Sequence, residues 1–158
     1  MSDETIAISE SAPGDAAAVL ELQRLAYRAE AELYDNLAIP PLTQTLEDLR
    51  ADYAGRAVLK AVTGEGRLVG SVRARLDGDV CRIGRLMVHP GFQGRGVGGR
   101  LLAAIEARFP QAARYALFTG RRSLANLRFY ERRGYARCAE TPAGPGLVLV
   151  HLEKPGPR

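Results

Sequence analysis

Glycine fills four of the six positions from 94 to 99 in the run Gln93-Gly94-Arg95-Gly96-Val97-Gly98-Gly99-Arg100. This segment constrains the chain more than any other. An apolar stretch, Ile83 to Val88, precedes it, followed by the connector His89-Pro90-Gly91-Phe92. Val97, Leu101, Leu102 and Ile105 then recur at helical spacing. A strand, a turn, a glycine elbow and an amphipathic helix are expected in that order. Glycines at close intervals leave no Cβ between a ligand and the backbone. The first N–H groups of a helix have no partner within it, and the helix dipole makes that end positive. The segment reads as a binding site for phosphate or pyrophosphate.

Two patterns fit the same letters. Gly94, Gly96 and Gly99 satisfy G-x-G-x-x-G, the dinucleotide fingerprint, and Arg121-Arg122 offer partners for a 2′-phosphate, which makes an NAD(P)-binding oxidoreductase a remote alternative. Two features oppose it. His89 to Gln93 separate the glycines from their strand, and hairpins stand upstream where parallel units belong. No Gly-Lys-Ser/Thr ends the run, so a P-loop is excluded. Gln93, Gly96 and Gly98 satisfy the second pattern, Q-x-x-G-x-G.

The rest of the chain supplies context for the elbow. Ile6-Ala7-Ile8 reads as a short strand, and residues 16–33 as one long helix with Ala18, Leu22, Leu25, Ala26 and Ala29 on a buried face. A stiff loop with Pro40-Pro41 spans 35–45, and a helix spans 46–53. Strands are expected over 57–62, 67–76 and 80–88, the last two joined by a hairpin turn at Asp77-Gly78. After the helix that ends near Pro110 come a strand at 115–119, a helix at 124–133 with Ser123 as its cap, and strands at 135–139 and 147–152. Early hairpins and a late crossover helix predict an α/β fold around a mixed sheet. At 158 residues with 46% hydrophobic content, this is one domain over 5–153, with 154–158 as a fraying tail.

Composition narrows the function classes. The net charge is +4, but the basic residues are almost all arginines scattered among acids, since Lys60 and Lys154 are the only lysines. No basic run with interleaved aromatics appears, so an anionic ligand is favoured over nucleic acid. No apolar run approaches the roughly 20 residues needed to span a membrane. The acidic start, Met1-Ser2-Asp3-Glu4, is unlike a secretory signal. Cys81 and Cys138 lack C-x-x-C spacing, which fits reduced thiols in the cytoplasm. His89 and His151 stand apart, so no metal is expected.

The segment Ile83 to Gly98 resembles the GCN5-related N-acetyltransferase (GNAT) family, and Asn126-Leu127-Arg128-Phe129-Tyr130-Glu131-Arg132-Arg133-Gly134-Tyr135 is similar to its Asn…Tyr-Glu-x-x-Gly-aromatic signature. The strand order matches over roughly residues 5 to 153. The resemblance implies the acyl-CoA N-acyltransferase fold, with a central splayed sheet flanked by helices. It implies that acetyl-CoA is the co-substrate, its pyrophosphate on the elbow formed by Gln93, Gly94, Arg95, Gly96, Val97, Gly98 and Gly99. It implies a pantetheine paired with Leu86, Met87 and Val88, with the Val88 or Met87 amide polarising the thioester carbonyl. Asn126 is placed near the pantetheine, and Tyr130 near the sulfur as the acid for the departing thiolate. The acceptor is an amine, on a small molecule or peptide, attacking directly in a ternary complex. A monomer or homodimer is compatible.

One position departs from the family. The glutamate that many members carry on the strand before the elbow is Gly84 here. Glu30, Glu32 and Asp35 lie within reach of the acceptor side, but none is singled out as base. A non-catalytic acyl-CoA-binding module with the same fold is the main alternative.

Overall fold

A computed structural model describes residues 5–157. The acidic opening residues 1–4 and Arg158 at the end of the expected tail lie outside the described residues. Seven strands form one mixed sheet: β1 (Ile6–Glu10), β2 (Ala57–Thr63), β3 (Leu68–Asp77), β4 (Val80–Val88), β5 (Arg114–Gly120), β6 (Ala136–Pro142) and β7 (Val148–Pro155). Their spatial order is β1-β2-β3-β4-β5-β7-β6. Among these pairs only β4 and β5 run parallel. That topology removes the dinucleotide reading, which needs consecutive parallel units.

Six helices flank the sheet: α1 (Ala16–Ala26), α2 (Arg28–Leu33), α3 (Pro40–Thr43), α4 (Leu46–Gly55), α5 (Val97–Ala107) and α6 (Leu124–Glu131). On one face, Val97, Leu101, Leu102 and Ile105 of α5 and Leu127 of α6 pack on Val69, Val72, Leu117 and Leu152. Each such fully buried side chain contributes about 1.5–3 kcal/mol. Helix α5 sits close because β3 carries Gly70, where a β-carbon would lie 2.8 Å from Leu101. On the other face, Val19, Leu20 and Leu22 of α1 and Leu49 of α4 cover Met87.

The expected long helix over 16–33 is two. Tyr27 has ψ 0° and ends α1, and α2 restarts at Arg28. No proline or glycine marks this break, so its cause is tertiary. Buried Gln23 donates to the Pro41 carbonyl and to Gln44 Oε1, both at 2.9 Å, fixing α1, while Ala31 and Tyr34 turn inward. The expected loop over 35–45 contains a turn of helix, α3, which the two prolines start with φ already set.

Three smaller expectations also need revision. The hairpin turn is Gly78-Asp79 rather than Asp77-Gly78, since Asp77 pairs with Val80 and Gly78 alone adopts positive φ. Ser123 stands at the start of α6, but its side chain makes no capping bond. Strand β7 continues to Pro155, and Lys154 pairs with Glu106 at 3.0 Å, so residues 154 and 155 do not fray. Tail residue Gly156 is also held, donating to the Ala113 carbonyl at 2.8 Å.

Candidate active site

The site begins where two strands part. Strands β4 and β5 pair only from Val80 to Arg82 against Arg114 to Ala116. Beyond that point β4 follows β3 to Val88, whereas β5 follows β7 to Gly120. The divergence opens a cleft whose β4 edge has no strand partner. A register shift between Ser71 and Arg73, with Arg85 at φ 51°, marks a bulge in β4 at this place. Bulges bend strands and re-aim the residues that follow.

The bulge decides which amide faces the cleft. His89 N–H donates to the Val69 carbonyl at 2.7 Å, and Met87 pairs with Ser71. Successive residues in a strand alternate in the edge to which their N–H points. Met87 N–H therefore faces β3, and Val88 N–H faces the cleft. Of the two amides expected to polarise a carbonyl, only that of Val88 points into the cleft.

The connector then folds into a short 3-10 turn, Pro90–Phe92, in which His89 Nδ1 accepts from Gly91 N–H at 2.9 Å. Gly94 and Gly96 follow at φ 78° and 80°, in the left-handed region that favours glycine. The first elbow-to-helix bond is Arg100 N–H to the Gly96 carbonyl at 3.1 Å. Among the described residues, the N–H groups of Gly94 to Gly99 donate to no protein acceptor. They head an eleven-residue helix whose dipole adds to them. This is the donor set that a pyrophosphate requires, and it fits the bridge of CoA.

Side chains around the elbow divide by role. Gln93 and Arg95 are exposed, while Val97 is buried in the core and offers only its amide. Arg95 lies over the Phe92 ring at 4.8 Å, with Arg67 from the β2–β3 turn at 5.4 Å. A β-carbon at Gly98 would meet Phe129 at 3.4 Å and Val88 at 3.6 Å, so the elbow touches both α6 and the cleft edge. Arg133 stacks on Phe129 at 3.8 Å and closes over Gly99. Arg67 and Arg133 were not among the residues expected at this site. The spacing of Phe129 and Arg133, four apart in a segment that reads as helix over 124–133, was the available signal for the second.

Asn126 and Tyr130 share a face of α6 as expected but differ in environment. Asn126 is exposed, and its Nδ2 donates to Thr119 Oγ1 on β5 at 3.2 Å. Tyr130 is only 9% exposed, with its ring edge-on to Phe129 and Tyr135 at 5.2 and 5.9 Å. Burial pushes its hydroxyl well above the usual phenol range, and Tyr27 and Glu30 push it further. Such a phenol keeps its proton at neutral pH. No hydrogen bond occupies the hydroxyl among the described residues.

The opposite wall is arginine-rich. A β-carbon at Gly84 would meet nothing within 4 Å. Its register partner Arg73 is 2% exposed and donates to Gln23 Oε1 at 2.7 Å, while Asp52 lies 3.9 Å from Nε. Burial, then neighbouring Arg85, lowers Arg73 to about 10, which leaves it charged at neutral pH. Cys81 is buried and pushed up to about 12, so it is not a nucleophilic thiolate. Among the described residues no three His, Cys, Asp or Glu side chains gather as a metal site. No helix there is long and apolar enough to cross a membrane.

A splayed mixed sheet with a free-amide elbow on its β4 edge is the acyl-CoA N-acyltransferase architecture. A profile of the acetyltransferase (GNAT) family matches residues 17–135, and the chain belongs to that family. It is 40% identical over 94 residues to a mycothiol acetyltransferase from Thermobispora bispora, a match covering 59% of this chain and 29% of that protein. The chain spans roughly a third of the length of the curated relatives it matches. The ribosomal-protein-S18-alanine N-acetyltransferase of Escherichia coli superposes with TM-score 0.78 at 16% identity, over 96% of this chain and 94% of that one. The PaiA N-acetyltransferase of Thermoplasma acidophilum, in complex with coenzyme A, gives 0.77 at 16% identity, over 96% and 99%. At that identity, both likenesses concern the fold.

Proposed function

We propose that this chain moves an acetyl group from acetyl-CoA to an amine by direct attack in a ternary complex. The observation that carries the proposal is the cleft itself. It has unpaired elbow amides at one end, an inward Val88 N–H on its edge and the protonated Tyr130 hydroxyl on the flanking helix. In this reading the amides of Gly94 to Gly99 grip the pyrophosphate, and the exposed β4 edge from Leu86 to Val88 aligns the pantetheine. Val88 N–H donates to the carbonyl oxygen as negative charge develops there, a preorganised dipole of the oxyanion-hole kind. Tyr130 gives its proton to the departing sulfur. Gln93, Arg95 and Asn126 line the rim. No metal takes part in this reading, and the amine attacks the thioester directly, without a covalent acyl-enzyme.

The acceptor is a small-molecule or peptide amine, and the enzyme works in the cytoplasm as a monomer or homodimer, without nucleic acid or membrane. The acceptor of the mycothiol acetyltransferase relative is the first candidate to try. One observation favours a second reading, an acyl-CoA-binding module without turnover: β4 carries no carboxylate at Gly84.

Thermal melting with acetyl-CoA, CoA and NADP tests the donor side. Stabilisation by the first two alone is expected, and stabilisation by NADP alone would contradict it. Intact mass after incubation with acetyl-CoA tests the direct route, since a stable acetylated protein competent to pass its acetyl group to amine would exclude it.

A further inference from the structure

An amine arriving as its ammonium form has no lone pair, and Gly84 offers nothing to deprotonate it. We propose that Glu30 on α2 accepts that proton, a role that rests on the acetyl-transfer reading above.

The break at Tyr27 turns α2 so that Glu30 and Tyr34, four apart, meet the start of α6. The Ser123 hydroxyl donates to Glu30 Oε1 and lies 3.1 Å from the Tyr34 hydroxyl, which in turn accepts Arg122 N–H at 2.8 Å. Glu30 is thereby tethered at the root of the helix that bears Tyr130, two turns further along. Helical side chains lean toward their helix N-terminus. The Glu30 carboxylate is also near enough to the Tyr130 hydroxyl to hold its titration up, after burial and Tyr27. Glu30 is half-buried, leaving water a route to it.

Other groups near this carboxylate are accounted for. Tyr27 beside it is a protonated phenol raised chiefly by burial, with Arg85 of β4 and Arg73 of β3 opposing that rise. Arg122 stacks over Tyr34 at 5.7 Å. Of the competing carboxylates, Asp52 is engaged with Arg56, whereas among the described residues Glu32 and Asp35, the other two on this segment, have no side-chain bond to α6 as Glu30 has through Ser123.

The proton balance closes. One ammonium N–H bond breaks, its proton passes to Glu30 Oε, and from there it leaves to water. The freed lone pair forms the C–N bond, the C–S bond breaks, Tyr130 gives its proton to the sulfur, and the second nitrogen proton replaces it on the Tyr130 oxygen. The amide keeps the third.

The test is acetyl transfer from acetyl-CoA to an amine the wild type accepts, followed from about pH 6 to about pH 9 for wild type, Glu30→Gln and Glu30→Asp. The glutamine keeps an oxygen for Ser123, so calorimetric acetyl-CoA binding is expected to be unchanged. In E30Q, kcat/KM at neutral pH should fall about 100-fold. The deficit should shrink as the amine becomes neutral by itself, and disappear for an aromatic amine analogue that is neutral throughout. Partial recovery is expected in E30D, which also carries the comparison if E30Q loses acetyl-CoA binding. An unchanged rate and pH profile overturns the assignment, as does an equal loss on the neutral analogue, which marks a structural role. A wild type that binds acetyl-CoA yet acetylates no amine overturns the acetyl-transfer reading itself, and this role with it.

Discussion

The Tyr34 hydroxyl packs directly against Gly120, so that a β-carbon at that glycine would overlap it, and it accepts the N–H of Arg122, just past the end of β5. This pairing locks the end of α2 to the strand that forms the far side of the cleft. Gly120→Ala should expel the Tyr34 ring, destabilise the fold by about 1–3 kcal/mol and raise KM for the acceptor more than for acetyl-CoA. Tyr34→Phe removes the hydroxyl but keeps the ring, at about 1–2 kcal/mol. Urea melts with steady-state kinetics check both.

The elbow depends on left-handed backbone at Gly96. A β-branched residue there is strained by about 1–2 kcal/mol and tilts the following amides away from their ligand. Gly96→Val should therefore weaken acetyl-CoA binding at least tenfold while leaving the core on α5 intact. Calorimetry with acetyl-CoA and CoA reads the loss, which should be similar for the two because the pyrophosphate is common to both.

Tyr130→Phe keeps the ring contacts with Phe129 and Tyr135 and deletes only the acidic proton. The expected result is a fall in kcat of about 100-fold with acetyl-CoA affinity unchanged. Because the folded hydroxyl titrates above its ordinary 10.0, the wild-type rate should show no basic limb from this group in the neutral range. A pH–rate profile of the two proteins decides it.

Tyr135 predicts a stability effect of known sign. Its hydroxyl donates to Glu106 Oε2 at 2.7 Å, and burial first, then that carboxylate, raise it above its ordinary 10.0. The folded state thus holds the proton more tightly than the unfolded one. Its stabilisation is complete below the unfolded value and lost as pH climbs beyond it. Tyr135→Phe should cost about 1.5–3 kcal/mol at neutral pH and flatten the decline of urea midpoints on the alkaline side.

These residues also show how far the letters alone reach. The elbow, its helix and the Asn126–Tyr130 pair were legible because glycine spacing and helical periodicity are local. So was the mixed sheet, through its turn signals. The break at Tyr27 was not, because it follows from where Gln23 finds partners in Pro41 and Gln44. Ser123 looked like a helix cap and instead serves Glu30, a choice made by a helix some 90 residues earlier in the chain. The aim of Val88 rather than Met87 into the cleft depends on a bulge that no residue type at Arg85 announces. Long-range partners decided each of these.

The most direct test is the release of free CoA thiol from acetyl-CoA, measured with and without a panel of simple amines, amino acids, polyamines and peptide N-termini. Release that depends on one class of acceptor, and that collapses in Tyr130→Phe, is the predicted result. Tight acetyl-CoA binding with no acceptor-dependent release across the panel would contradict the account and leave a binding module in its place.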